Sequence, residues 1–354
     1  MKIRLFKYLS PATLYFTGIL SFSFHSWVAW LPILYAWVLI PFLELMLKPD
    51  TSNFNNAEKE IARHHKGYDY MLYIIVPFQY ATLIYFLFSF HQPHLSNSDI
   101  VGRIFSMGLL CGTFGINVGH ELGHRVKYFE RMLAKTLLAS SLYMHFYIEH
   151  NKGHHKNVAT LEDPSSARMN EPVYLFYFRT ILFSYLSAWK IANEDCRKKN
   201  RFILSLYNEM LQAHIIQLLL VLTIFLFFGK TITLYFLAAA FVGILLLETV
   251  NYIEHYGLAR TKKENGVYER AMPWHSWNSN HPIGRIMLFE LTRHSDHHYM
   301  ASKKYQLLEH HDDAPQLPTG YPGSMLLSLI PPLWFFVMNG RIRIDKLDRL
   351  DKAG

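Results

Sequence analysis

The sequence predicts an all-α integral membrane protein in which six transmembrane helices carry a histidine-rich helical cap on one membrane face. Three observations predict it. Apolar residues make up 51% of the 354 residues, and they gather into long uncharged blocks instead of spreading along the chain. Twenty histidines concentrate mostly in the polar stretches between those blocks. Lysines and arginines collect in alternate connecting loops, the bias that orients a multi-pass protein.

Blocks of about 17–25 apolar residues can cross a hydrocarbon core of about 30 Å as helices. Six fall at about 10–26, 28–47, 70–90, 100–119, 206–228 and 231–250. The first two nearly touch at His25–Ser26, which predicts a tight helical hairpin. Lys2, Arg4 and Lys7 precede the first block as in a signal peptide, but no small-x-small cleavage site follows and a second span begins at once. It reads as an uncleaved helix.

Cations cluster at the N-terminus, in the 48–69 loop, after residue 120 and in the run Arg197-Lys198-Lys199-Asn200-Arg201. The opposite loops are nearly bare: residues 91–99 hold no Lys or Arg, and the last outer turn holds only Lys230. This predicts both termini in the cytoplasm, with a cap of about 120–205 and 251–354 on that side. Two further stretches, about 173–192 and 324–338, are interrupted by Arg179 and Lys190 or by Pro331-Pro332 and predict amphipathic helices on the membrane surface. No internal repeat or linker divides the chain, so 1–354 reads as a single domain.

The net charge of +8 follows membrane edges and forms no basic stripe with stacking aromatics, which excludes nucleic acid as the partner. Part of the excess, at Arg197, Lys198 and Lys199, could steer an acidic soluble protein to the cytoplasmic face. The two cysteines, Cys111 and Cys196, form no CxxC, so the chain holds no thiolate zinc, iron–sulfur or rubredoxin module. Electrons for any redox chemistry must come from outside.

Nine histidines fall in four clusters: His120 and His124; His150, His154 and His155; His255; and His294, His297 and His298. At 100° per residue, the pairs 120/124, 150/154 and 294/298 each project from one helical face, one turn apart. All four clusters lie at or beyond the cytoplasmic ends of spans, so they can converge. Nine imidazoles are too many for one ion and suit two, with iron, zinc, copper and nickel all compatible donor chemistry.

Acids and amides accompany them. Glu121, Glu149, Glu254 and Asp296 neighbour the histidines and could orient an imidazole from another cluster, while Asn117, Glu248 and Asn251 stand on the same helical faces one or two turns away. Glu248 lies inside a span, where an ionisable group is costly and marks a functional candidate. His145, His275 and His281 lie near the clusters as possible hydrogen-bonding partners, and His64, His65, His91, His94, His310 and His311 read as solvent-exposed.

Three chemistries compete. His120-Glu121-Leu122-Gly123-His124 matches the HExxH pattern of zinc proteases, but such an enzyme has no use for the other histidines. A metal transporter would need ligands along the spans, not at one face. A histidine-held pair of iron ions beside a bilayer is best suited to oxygen activation on a lipid-soluble substrate, whose tail gains about 0.8 kcal/mol per buried methylene.

The order of His120-Glu-Leu-Gly-His124, Glu149-His-Asn-Lys-Gly-His-His155, Asn251-Tyr-Ile-Glu-His-Tyr-Gly-Leu258, His275-Ser-Trp-Asn-Ser-Asn-His281 and Arg293-His-Ser-Asp-His-His298 closely resembles the bacterial membrane alkane 1-monooxygenases, within the wider membrane desaturase and hydroxylase superfamily. The resemblance runs from about 30 to 335 and includes Asp163-Pro164 and Leu317-Pro-Thr-Gly-Tyr-Pro-Gly323. It implies a six-span enzyme of the inner membrane that hydroxylates the terminal methyl of n-alkanes with O2. The implied cofactor is two iron ions on these nine histidines, with electrons from rubredoxin and an NAD(P)H-dependent rubredoxin reductase. Fatty acyl and aromatic-methyl substrates are the alternatives within the superfamily. Glu290, Thr292 and Glu44 depart from the family's usual residues, and Ala36 and Trp37 fall near its chain-length-limiting position, so they are candidates to line the substrate channel.

Overall fold

The computed structural model describes residues 2–353, with side chains described from 4 to 342. It is helical throughout: only two isolated bridges, Lys262 with Tyr268 and Asn278 with Gln316, occur among the described residues, and no strand. Four helical runs are long and apolar enough to cross a membrane: Ser26–Met46, Gly67–Ser89, Asn97–Gly123 and Glu209–His255.

The last run holds two predicted spans. A straight helix of 47 residues would be about 70 Å long. Yet Gln217 accepts from the backbone N–H of Met144 while Glu248 accepts from the hydroxyl of Tyr143, so positions far apart in the run meet neighbouring residues. The run therefore folds back, and it does so at Gly229, whose φ of 75° and ψ of 176° need a residue without Cβ. The first predicted span is shorter than expected. It forms as Ala12–Ser23, behind short turns at Lys2–Phe6 and Lys7–Leu9, because Pro11 interrupts the hydrogen-bond ladder.

The predicted turn at His25–Ser26 is present. Ser26 adopts φ 65° and its N–H donates to Asp99, which also caps its own helix through Ser96. Arg103, fully buried, donates to the carbonyls of Ser89 and Phe24 at two helix ends and to Gln92, placing its charge where the helix dipoles favour a cation.

Two predicted cap segments pack against the spans. Tyr128–Ser140 runs beside Ile75–Ser89, with Tyr80 donating to the Thr136 carbonyl and Gln79 to the Ser140 hydroxyl. Val173–Lys198 extends past the predicted 173–192 and buries Phe176, Thr180, Ser184, Ala188, Ala192 and Cys196, a four-residue repeat that lets it lie against Glu209–His255. Its opposite face exposes Leu175, Phe178, Leu182 and Phe183. Tyr321–Ser328 and Pro331–Ala353 meet after Ile330, where the predicted 324–338 stretch breaks at its prolines.

Candidate metal centre

The nine histidines come together in two sets. His120, His124, His150, His155 and His297 form one, and His154, His255, His294 and His298 the other; within each, one nitrogen per ring lies within 4.8 Å of all the others. The pairing differs from the helical-face expectation at one point. His150 and His154 do not share a set.

The reason is local. His150–His154 winds as a π-helical turn, in which the His155 N–H bonds the His150 carbonyl, so residues five apart stack. His150 and His155 therefore meet with Nε2 atoms 3.0 Å apart, and His154 turns to the second set. Consecutive residues 154/155 and 297/298 thus straddle the two sets, while 120/124 and 294/298 each stay together. Two more π-helical turns, Tyr35–Leu39 and Cys111–Ile116, face the same region.

The donor atoms fit metal ions. Nε2 separations are 3.0 Å for His120–His297, 3.1 Å for His155–His297, 3.2 Å for His154–His298 and His255–His294, and 2.8 Å for His294–His298. Ligands at right angles around an ion with bonds of about 2.0–2.1 Å stand about 3 Å apart. A neutral imidazole carries one N–H, too few to bridge so many converging lone pairs. The buried His124 Nε2 also has no hydrogen-bond partner among the described residues. Burial and neighbouring rings hold His124, His150, His155, His294, His297 and His298 well below the usual histidine range, leaving neutral donors at pH 7. At His154 burial acts in the same direction, but the Asp163 carboxylate, 2.9 Å from Nδ1, outweighs it and raises the value.

The accompanying residues fall into different roles. Glu254 places one oxygen 3.2 Å from His294 Nε2 and accepts from the Tyr321 hydroxyl at 2.6 Å with the other. Glu121 accepts from Arg125 at 2.7 Å and from the Tyr305 N–H, which removes the free base a zinc protease would need. Glu248 accepts from Tyr143, Thr180 and Asn251, so the Glu248–Asn251 pair ties its helix to Val173–Lys198 and to the loop at Tyr143, with no hydrogen bond to a clustered histidine among the described residues. Asp296 is held by Lys303, His311 and the Glu309 N–H. Glu149 lies beside Ser187 and is pushed up to about 8 by burial and by Asp163. Asn117 donates to the Leu288 carbonyl. Asp163 and Tyr321 join the site although spacing alone does not mark them; the Asp163-Pro164 and Leu317–Gly323 motifs are the only signal.

An apolar cavity with about 840 Å³ of empty space abuts the four-histidine set at Glu254. Ala36 and Trp37 both line it, with Leu246, Val250, Met287 and Met325 among its apolar walls; Thr113, Asn117, Glu254 and Tyr321 are its polar lining. Glu44 buttresses the wall by accepting from the Gly284 N–H at 2.7 Å and pressing against Gly320, an approach that any Cβ there would block. Arg197, Lys198 and Lys199 end the Val173–Lys198 helix, exposed and without acidic partners among the described residues.

A family model described as fatty acid desaturase matches residues 100–325, which include all nine histidines. The chain belongs to this family of histidine-rich membrane enzymes and, within it, to the alkane 1-monooxygenases. It is 37% identical to alkane 1-monooxygenase 1 of Alcanivorax borkumensis over 92% of this chain and 81% of the relative. With the alkane 1-monooxygenase of Ectopseudomonas oleovorans it shares 39% over 86% and 75%. The hydroxylase component of the Pseudomonas putida xylene/toluene monooxygenase is 29% identical over 67% of this chain and 63% of that one.

Proposed function

We propose that this protein hydroxylates the terminal methyl of medium- to long-chain n-alkanes, taking O2 and electrons from reduced rubredoxin, itself reduced by an NAD(P)H-dependent rubredoxin reductase. The observation that carries the reading is the junction of the apolar cavity with the four-histidine set at Glu254. Relatives named alkane 1-monooxygenase over most of the chain support it.

The balanced reaction is R–CH3 + O2 + 2 e− + 2 H+ → R–CH2OH + H2O. Two iron ions, one in each histidine set, would supply the O2 activation and oxygen insertion. The nine imidazoles hold them, and neutral rings make the loading compatible with pH 7. The cavity wall binds the hydrocarbon through apolar contact and excludes water, so the reacting end is the end nearest Glu254. Tyr321 and Asp163 fix the carboxylate and imidazole orientations by hydrogen bonds.

No lysine or arginine lines the cavity among the described residues, which disfavours a substrate with a carboxylate head there. The likeness to the xylene/toluene enzyme makes an aromatic methyl the second reading. The loop charges and the folded-back Glu209–His255 run support a six-span arrangement with both termini in the cytoplasm, and the bacterial inner membrane is the location that the resemblance implies.

The test combines elemental analysis with product analysis. Detergent-purified protein should hold about two irons per chain. Membranes given octane, hexadecane, toluene or a fatty acid with 18O2, rubredoxin, reductase and NADH should place label in 1-alkanols. One zinc per chain with no labelled alkanol would defeat the proposal.

A further inference from the structure

The sequence holds no CxxC pair to carry a redox centre of its own, so each turnover requires two one-electron deliveries from a protein that must come close to the histidine sets. The five-histidine set is the outer one: His124 and His155 are partly exposed, whereas all four rings of the other set are buried. His155 follows the π-helical turn, and beside that turn lies a recess with about 830 Å³ of empty space between it and the Val173–Lys198 helix.

Lys152, Lys156, Lys190 and Lys198 wall this recess, against Glu194 and Asp195. Lys152 is engaged with Asp195. Lys156, Lys190 and Lys198 are exposed, and no acid pairs with any of them among the described residues. Gly153 and Asn157 line its inner side. Gly153 precedes His154, and Lys156 follows His155 of the five-histidine set, so the recess lies against the backbone that carries that outer ring. Unpaired cations over a floor of histidine-bearing backbone are suited to holding an acidic surface close to the metals.

We propose that this recess is where a small acidic one-electron carrier docks, with electrons entering through the five-histidine set. The proposal rests on the monooxygenase reading and narrows the predicted 197–199 patch. Lys198 belongs to the recess, whereas Lys199 and Arg201 line an adjoining cavity with Arg131, across the Lys152–Asp195 pair that both share. Two reduced carriers bind in turn, each leaving oxidised by one electron, and together they supply the two electrons of the balanced reaction.

The test uses the full chain in nanodiscs with reduced rubredoxin as the probe. One variant combines Lys156→Glu, Lys190→Glu and Lys198→Glu; the control combines Lys262→Glu and Lys263→Glu on the exposed loop. Steering by complementary charge accounts for rate enhancements of about ten- to a thousandfold. The recess variant should therefore raise the Kd and KM for rubredoxin about tenfold or more and flatten their dependence on ionic strength. Iron content and turnover driven by a small reductant such as dithionite should stay at wild-type levels. Unchanged Kd in the recess variant, an equal loss in the control, or no rubredoxin binding by the wild type would each overturn the proposal. Absence of alkanol from the wild type with either reductant would instead defeat the functional reading, and the Kd comparison would still decide the docking site.

Discussion

The two histidine sets differ in what surrounds them more than in what composes them. The four-histidine set is wholly buried, and carboxylates reach two of its rings: Asp163 at His154 and Glu254 at His294. The five-histidine set has one more imidazole, two partly exposed rings and no carboxylate within ion-pairing distance among the described residues. Its support is aromatic instead, with Phe146 stacked on His150. The contrast assigns different work to similar ligands. Carboxylates strengthen imidazole donors and fix their tautomers, so the buried set can hold an ion with four rings while keeping a side towards the cavity. The outer set, saturated with nitrogen and close to solvent, is the better entry point for electrons.

The largest effect should come from removing a ring. His255→Ala takes away one of only four rings in its set and should leave about one iron per chain with alkanol formation lost. His124→Ala, one of five, should retain more metal; equal losses in elemental analysis would break the comparison. Next comes Asp163→Asn, which leaves all nine rings in place. Loss of such an orienting carboxylate costs about 10–100-fold in metal affinity or activity, and iron titration should show that loss confined to one of two sites. A uniform weakening of both would mean that the sets are not independently supported.

Much of this site is legible in the sequence because its signals are local. The i, i+4 pairs 120/124 and 294/298 keep their helical geometry and their shared set. The span before Gly229 and the span after it are legible as two apolar blocks, and the chain folds back between them at that glycine. The division of His150 from His154 is not legible, because it depends on a π-helical turn settled by packing around Gly153 and Glu149. Asp163 reaches His154 across a loop, and Tyr321 reaches Glu254 from a distant helix, contacts for which no spacing rule exists. The same limit applies to Glu248: its place within a span marks it, but only tertiary structure shows Tyr143 and Thr180 as its partners.

A smaller effect should appear on the cavity side of the four-histidine set. Ala36 is buried in the Tyr35–Leu39 π-helical turn and faces the cavity. Ala36→Leu fills space that about three methylenes could occupy, and at about 0.8 kcal/mol each this corresponds to a more than tenfold loss of kcat/KM for alkanes long enough to need that space. Competition between octane and hexadecane should shift towards octane with iron content unchanged. If both substrates suffer equally, the chain does not run past Ala36.

The smallest effect on the contrast, although not on stability, is expected at Glu290. This carboxylate accepts from Tyr8 and is paired with Lys7 and Arg285, and it anchors the segment that leads into the His294–Tyr299 helix. Burial alone would raise its pKa, but Arg285, Lys7 and Arg293 hold it down to about 2. Because the folded value lies below the ordinary 4.5, its contribution is present above about pH 4.5 and is lost as the pH falls through about 2. Glu290→Gln takes the carboxylate from partly exposed Lys7 and from Arg285, which keeps Asp50, and losing such charge-assisted hydrogen bonds costs about 1.5–3 kcal/mol. Thermal unfolding should show that gap at pH 7, narrowing below pH 4.5. Since the His294–Tyr299 helix supplies rings to both sets, any metal loss in this variant should be shared between them, unlike the one-sided loss at Asp163. A one-sided loss here would show that the helix is held independently for each set and that Glu290 supports only one.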